Sequence, residues 1–247
     1  MKQDYFKITN ITDTKAEIQI YGDIVSDEGE KWSNADVCPK DVINALEKVK
    51  GKDLDIYINS CGGSVFGGIA IYNIIKRHNG RKTVTIDSIA GSIASVIAMA
   101  GDEINMYKNS FMVIHKPLSI SYGNANDLRK TADELDKIES VIIDVYNSKL
   151  INKEDISKIT EMVDKETWLT AAEVSDYFNI NLLEENKAVA SIKTDMKFKN
   201  IPVDLKNIFE KETELTELTQ LTELTKTTNK ENDKIKKLAL ELELITL

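Results

Sequence analysis

Cysteine and histidine are scarce in this 247-residue chain, and each shortage narrows the chemistry open to it. The two cysteines, Cys38 and Cys61, have no zinc-ligand spacing, and with no secretion signal in view a structural disulfide is not expected. The two histidines, His78 and His115, limit the choice of an imidazole base. Positive charge is in deficit, with 32 Lys and Arg against 41 Asp and Glu, a formal net charge of −9. That balance argues against nonspecific binding to nucleic acid or to an anionic membrane surface. No apolar run reaches the roughly 18 to 20 residues that span a bilayer. The opening "MKQDYFKITN" lacks the apolar core of a signal peptide. The expected location is the cytoplasm, either of a host cell or inside a procapsid if the chain is phage-encoded.

What is present is an alternating pattern. Residues 4 to 24 read as a β-hairpin turning at Thr12-Asp13-Thr14-Lys15. A helix is expected over 40 to 49 with Pro39 in its first turn, then a strand over 54 to 60. "GGIAIYNIIKRH" reads as a helix closed by Asn79-Gly80, "KTVTIDSIA" as a strand and "SIASVIAMAGD" as a second apolar helix. Two short strands follow in "EINMYKNSFMVIHKP". A long amphipathic helix covers about 124 to 150, with Leu128, Leu135, Ile138, Ile142 and Val145 on one face. Helical stretches near 156 to 164 and 170 to 178 and a last strand near "NLLEENKAVAS" complete the pattern. Such alternation predicts an α/β fold with a largely parallel sheet, and sites at the carboxyl ends of its strands.

The division expected from composition is a folded domain over 1–190 and a tail over 191–247. The tail is low in complexity ("TELTELTQLTELTKTTNKEND"). Ile235, Leu238, Leu242 and Ile245 fit a heptad near its end. A flexible linker with a short coiled-coil or scaffold-like helix is the expectation, a disordered tail the alternative.

Two strand-to-helix turns carry unusual residues. Gly62-Gly63 permits positive φ and close approach of backbone to ligand. The pair could cradle phosphate, hold an oxyanion or simply turn tightly; the Gly-Lys-Ser/Thr end of a Walker loop is missing. Ser92 opens the most apolar helix of the chain, beside the free N–H of Ile93, where it could act as a nucleophile or merely cap the helix. It is not in a Gly-x-Ser-x-Gly elbow. His115 ends the apolar run "FMVIHKP" and is the credible base, whereas His78 stands beside Lys76 and Arg77 at a solvated helix end. Glu166 and Asp164 are rival candidates to orient the imidazole.

Together these segments resemble the Clp protease proteolytic subunit family. "YINSCGGSVFGGIAIYNII" resembles its Tyr-Ile-Asn-Ser-Pro-Gly-Gly turn, with Cys61 where proline is usual. "IAGSIASVIAMAGD" resembles its nucleophile helix, "FMVIHKP" its histidine strand, and "ETWLTAAEVSDYFNI" the segment bearing its third catalytic residue. The resemblance covers roughly residues 16 to 185. It implies a ClpP/crotonase-type fold of repeated β-β-α units with a long handle helix. It implies Ser92 as nucleophile, His115 as base and, counting back from Trp168, Glu166 where the family has aspartate. It assigns the oxyanion hole to the N–H groups of Gly63 and Ile93, with Gly62 and Ser64 along the peptide-binding edge. No metal or cofactor is implied.

The Ile-Ala-Ser after Ser92 is more similar to phage-encoded members that process capsid precursors. No match to the axial loop that engages an ATP-dependent unfoldase is recognised. The expectation is a serine endopeptidase of the S14 type, forming a heptameric or double ring and cutting capsid or scaffold precursors. The alternatives are an acyl-CoA enzyme of the crotonase fold, a Ser–Lys dyad peptidase and an inert assembly subunit.

Overall fold

The computed structural model describes residues 6–184 and 198–202. The expected heptad near the C-terminus lies outside the described residues. Eight strands, β1 Phe6–Thr9, β2 Lys15–Ile20, β3 Asp53–Ser60, β4 Lys82–Gly91, β5 Glu103–Tyr107, β6 Phe111–Ile114, β7 Thr167–Thr170 and β8 Asn181–Leu183, form one sheet. Among the described residues six α-helices accompany them: α1 Pro39–Lys48, α2 Val65–Lys76, α3 Ile93–Ala98, α4 Ala125–Lys149, α5 Ile156–Asp164 and α6 Ala171–Tyr177. The hairpin expected near the N-terminus is β1 paired antiparallel with β2. Its turn is held by the Thr12 N–H and hydroxyl, both donating to the Lys15 carbonyl.

From β2 onward the order β2-β3-β4-β5-β8 is parallel throughout. Period-two burial explains the one-sided packing. Ala16, Ile18 and Ile20 of β2, Leu54, Ile56 and Ile58 of β3, and Val84 and Ile86 of β4 are buried in one core with the apolar faces of α1, α2 and α3. Glu17, Asp55, Tyr57 and Asp87, at the alternate positions, stay off that core. Every residue of α3 is buried. Gly68 of α2 lies so close to Ile93 that a Cβ there would stand 2.1 Å from Cγ1 of that isoleucine, which is how the two helices approach each other.

The site depends on a split in β4. Its first half, Thr83–Ile86, pairs with β5; its last three residues, Ile89–Gly91, leave β5 and pair parallel with β6. A register shift between Ile58 and Ser60 accompanies the change of direction. Strand β6 in turn pairs antiparallel with β7, with Ile114 opposite Thr167 and Val113 opposite Trp168. Strand β7 was not expected from the sequence. Its four residues, TWLT, are too few to show a period and follow the charged run Asp164-Lys165-Glu166.

Helix α4 packs on this chain along only part of its length. It starts on a capping box between Asn124 and Asp127. Only Ile142 and Tyr146 within it are fully buried, while residues 125–130, Leu128 among them, are exposed. The apolar stripe therefore packs on this chain only in its C-terminal half. His78 is not fully solvated either: its Nε2 pairs with the Lys52 carbonyl at 2.7 Å.

Candidate active site

Four chain segments meet where β4 and β6 end and β7 begins. The register Gly91↔Val113 on β4 and β6 sets Ser92 and His115 immediately beyond the carboxyl ends of two hydrogen-bonded strands, and the Ser92 N–H donates to the Val113 carbonyl at 2.8 Å. The register Ile114↔Thr167 sets Glu166, just before β7, across from His115. Residues up to 74 positions apart in the chain, Ser92 on one side and the Asp164–Glu166 corner beyond His115 on the other, are thus gathered by three neighbouring strands.

Ser92 has φ 52° and ψ −128°, and its side chain makes no capping bond to α3. A bare helix cap has neither property, since a capping serine sits in the extended region and accepts from the first turn. Left-handed backbone at a serine costs of order 1–3 kcal/mol and persists only where the surroundings impose it. Here two groups do. The Val113 carbonyl fixes the Ser92 N–H, and the Ser92 carbonyl accepts from the N–H of Ser95 at 3.0 Å and from its hydroxyl at 2.5 Å. The Ser95 Oγ lies 2.7 Å from the Tyr146 hydroxyl. Burial pushes the Tyr146 phenol far above its ordinary range, so it stays protonated. The Ser95 proton is committed to the Ser92 carbonyl, so Tyr146 must donate to Ser95. The small hydroxyl at 95 therefore ties the long helix α4 to the turn at Ser92.

The glycine turn packs onto the same spot. Gly62 has φ 96°, and a Cβ there would lie 2.7 Å from both the Ser92 Cβ and the Gly91 carbonyl oxygen, and 3.1 Å from the Ile93 nitrogen. Gly63 has φ 143°, and a Cβ there would lie 2.1 Å from the Ile24 carbonyl oxygen. The loop is anchored by Ile24 N–H to Gly62 carbonyl, 2.8 Å, and Ser64 N–H to Ile24 carbonyl, 2.7 Å. Ser64 caps α2 through Gly67 and shares a 2.6 Å hydroxyl contact with Ser26. The N–H groups of Gly63 and Ile93 donate to no other described residue. Two free donors beside a hydroxyl are what an oxyanion requires.

His115 is half-buried. Burial holds its imidazole below its ordinary pKa and outweighs the favourable charge of Glu166 and the Lys116 main chain; Lys199 acts in the same direction as burial. The ring makes no hydrogen bond to Ser92 or Glu166 among the described residues; its closest ring neighbour is Phe198, in T-shaped contact at 5.5 Å.

The rival acids differ in surroundings. Asp164 is exposed and its carboxylate meets the Lys116 ammonium at 2.7 Å, which holds it below the usual carboxylate range. Glu166 is partly buried at φ 52°, its charge acts on His115, and its Oε1 accepts the Asn200 N–H at 2.6 Å. Sequence reasoning did not anticipate any part for Phe198 or Asn200, since nothing in "MKFKNIP" has a period or motif.

The Clp protease family profile matches residues 5–184. The chain belongs to the Clp protease family. The match takes in the N-terminal hairpin as well as the four motifs. Among similar curated proteins, the ATP-dependent Clp protease proteolytic subunit of Bacteroides thetaiotaomicron is 32% identical over 129 residues, 51% of this chain and 58% of that protein. That of Porphyromonas gingivalis is 33% identical over 141 residues, 56% and 62% of the two chains. Proteolytic subunit 1 of Chlamydia pneumoniae is 34% identical over 135 residues, 53% and 69%. The chain spans about three fifths of the length of the first two relatives. As a Clp-family chain it has the mixed α/β architecture the resemblance implied, with the β4–β6 split at its centre. Among the described residues no helix is long and apolar enough to cross a membrane.

Proposed function

We propose that this Clp-family chain is a serine endopeptidase. Ser92 attacks the peptide carbonyl. His115 takes the hydroxyl proton and later gives it to the leaving amine, leaving an acyl-enzyme that water hydrolyses by the same steps. Glu166 orients the imidazole, and the Gly63 and Ile93 N–H groups hold the oxyanion. One observation carries the reading: a serine held at positive φ without a capping bond, beside two unengaged backbone donors, next to the strand end that presents His115. The ordinary hydrogen bonds of the triad would form as substrate orders the site, which catalytic groups commonly require. Substrate peptide lies extended along the edge at Gly62 and Ser64, recognised mainly through its backbone.

In the same proposal the chain assembles into a heptameric or double ring. Support comes from the apolar side chains it leaves in water, with Ile120 101%, Tyr122 103% and Leu128 47% exposed on and before α4. The natural substrate proposed is a capsid or scaffold precursor, processed in the host cytoplasm or in a procapsid. This extension rests on the Ser92-Ile93-Ala94-Ser95 sequence. Short peptides need no ATP-driven unfoldase. The test is a fluorophosphonate probe on the purified protein. The expected result is labelling at Ser92 that is lost in Ser92→Ala and in His115→Ala. Absence of labelling in a correctly assembled wild type rejects the peptidase reading. Labelling that survives His115→Ala transfers the base role to a lysine.

A further inference from the structure

We propose that residues Phe198–Asn200 form a positioning clasp for the His115–Glu166 pair, with the Asn200 backbone N–H anchoring the carboxylate and the Phe198 ring seating the imidazole. The proposal rests on the peptidase reading above and adds to it a segment that follows the last strand.

Two hydrogen bonds and two ring contacts place the clasp. Oε1 of Glu166 accepts the Asn200 N–H at 2.6 Å, and the Asn200 side-chain Nδ2 donates to the Lys165 carbonyl at 2.9 Å. The Phe198 ring is 8% exposed and stands edge-on to two others, His115 at 5.5 Å and Trp168 at 5.3 Å. It also presses on the strand that leads to Ser92: a Cβ at Gly91 would fall 2.8 Å from its Cζ, so a larger residue there would force the ring to shift.

The chemistry explains why a clasp is useful. Glutamate has one more rotatable bond than aspartate, so its carboxylate sweeps a wider arc before an imidazole. A main-chain donor from an ordered segment fixes one oxygen with a charge-assisted bond. Oε2 is left with no partner among the described residues, free to accept from His115. The left-handed backbone of Glu166, φ 52°, is held at the same corner. Phe198 removes water from one edge of the imidazole, in line with the burial that holds the His115 pKa below its ordinary value.

The geometry favours positioning over blockage. The segment makes no hydrogen bond to the Ser92 hydroxyl, and the Gly63 and Ile93 donors stay free of it. An inhibitory strap would fill those groups first.

The test uses the full chain and four variants: Asn200→Pro, which deletes the N–H; Asn200→Ala, which keeps it; Phe198→Ala; and Phe198→Leu. Peptide hydrolysis and fluorophosphonate labelling at Ser92 are measured against pH. Modification of His115 by diethyl pyrocarbonate is followed by mass spectrometry over the same range, and the thermal midpoint monitors folding. Asn200→Pro is expected to lower kcat about tenfold or more with KM nearly constant, and Asn200→Ala to lose less than about threefold. Phe198→Ala is expected to move the acid limb of the rate, and the midpoint of His115 modification, to higher pH, with Phe198→Leu between it and wild type. Equal kcat in Asn200→Pro and Asn200→Ala, or a His115 midpoint that does not move in Phe198→Ala, overturns the clasp. Faster labelling in either Phe198 variant also overturns it and makes the segment an inhibitor. A wild type that never labels at Ser92 rejects the peptidase reading separately, because the His115 midpoints still report on Phe198 without turnover.

Discussion

The hydrogen-bonded path from Tyr146 through Ser95 to the Ser92 carbonyl allows a quantitative test. Each hydroxyl is buried, and the two stand 2.7 Å apart between α3 and α4. Tyr146→Phe removes the terminal donor and leaves Ser95 satisfied by the Ser92 carbonyl, so it should cost about 1 kcal/mol, the net worth of one neutral hydrogen bond. Ser95→Ala removes both bonds and strands a protonated phenol in an apolar site. It should cost about 3 kcal/mol, combining lost bonds with the desolvation of an unpaired hydroxyl. In the double variant nothing is stranded, so about 2 kcal/mol is expected, well below the sum of roughly 4 kcal/mol. The assay is urea unfolding by far-ultraviolet circular dichroism at one fixed protein concentration, because assembly would shift apparent stability. For a domain of this size the Ser95→Ala loss corresponds to a fall in Tm of about 6–12 °C. Fluorophosphonate labelling adds a functional readout: Ser95→Ala should slow it by releasing the backbone that holds Ser92 at φ 52°. Additive costs, with a coupling under about 0.5 kcal/mol, would refute the chain of donation. So would labelling at the wild-type rate in Ser95→Ala.

Other consequences are briefer. Glu166→Gln should lower peptide hydrolysis by about 10³-fold or more. Asp164→Asn should retain it and change stability by less than about 0.5 kcal/mol, because the Asp164–Lys116 pair is a surface one; parallel kcat and urea measurements check both. His115 has its folded pKa held below the ordinary 6.5, so its neutral form favours the fold. That contribution is present above the unfolded value and lost as pH falls below it. His115→Gln should therefore flatten the loss of stability between pH 7 and 5, measured by urea unfolding. Burial pushes the Cys61 thiol up to about 12, and Cys38 is also raised by burial. Both should resist iodoacetamide at pH 8 until the protein is unfolded, as mass spectrometry of alkylated peptides would show.

Ordered motifs made much of this protein legible beforehand. Alternation and apolar runs located seven of the strands and all six helices, because burial on one face imposes a period on the residues themselves. The paired glycines marked a turn with unusual backbone, and φ values of 96° and 143° are what their missing side chains allow. Ser92 and His115 stood out because a small hydroxyl before an apolar helix and a lone imidazole after an apolar strand both break the surrounding pattern. What tertiary structure alone decided is how those pieces meet. The split of β4 between β5 and β6, the short strand β7, the Lys116 ion pair that takes Asp164 and the packing of Phe198 on His115 are all pairings between residues far apart in the chain. Such contacts are set by shape and by competition for partners in three dimensions. Four residues of strand, or one phenylalanine in a polar stretch, leave no periodic trace in the sequence from which they could be read.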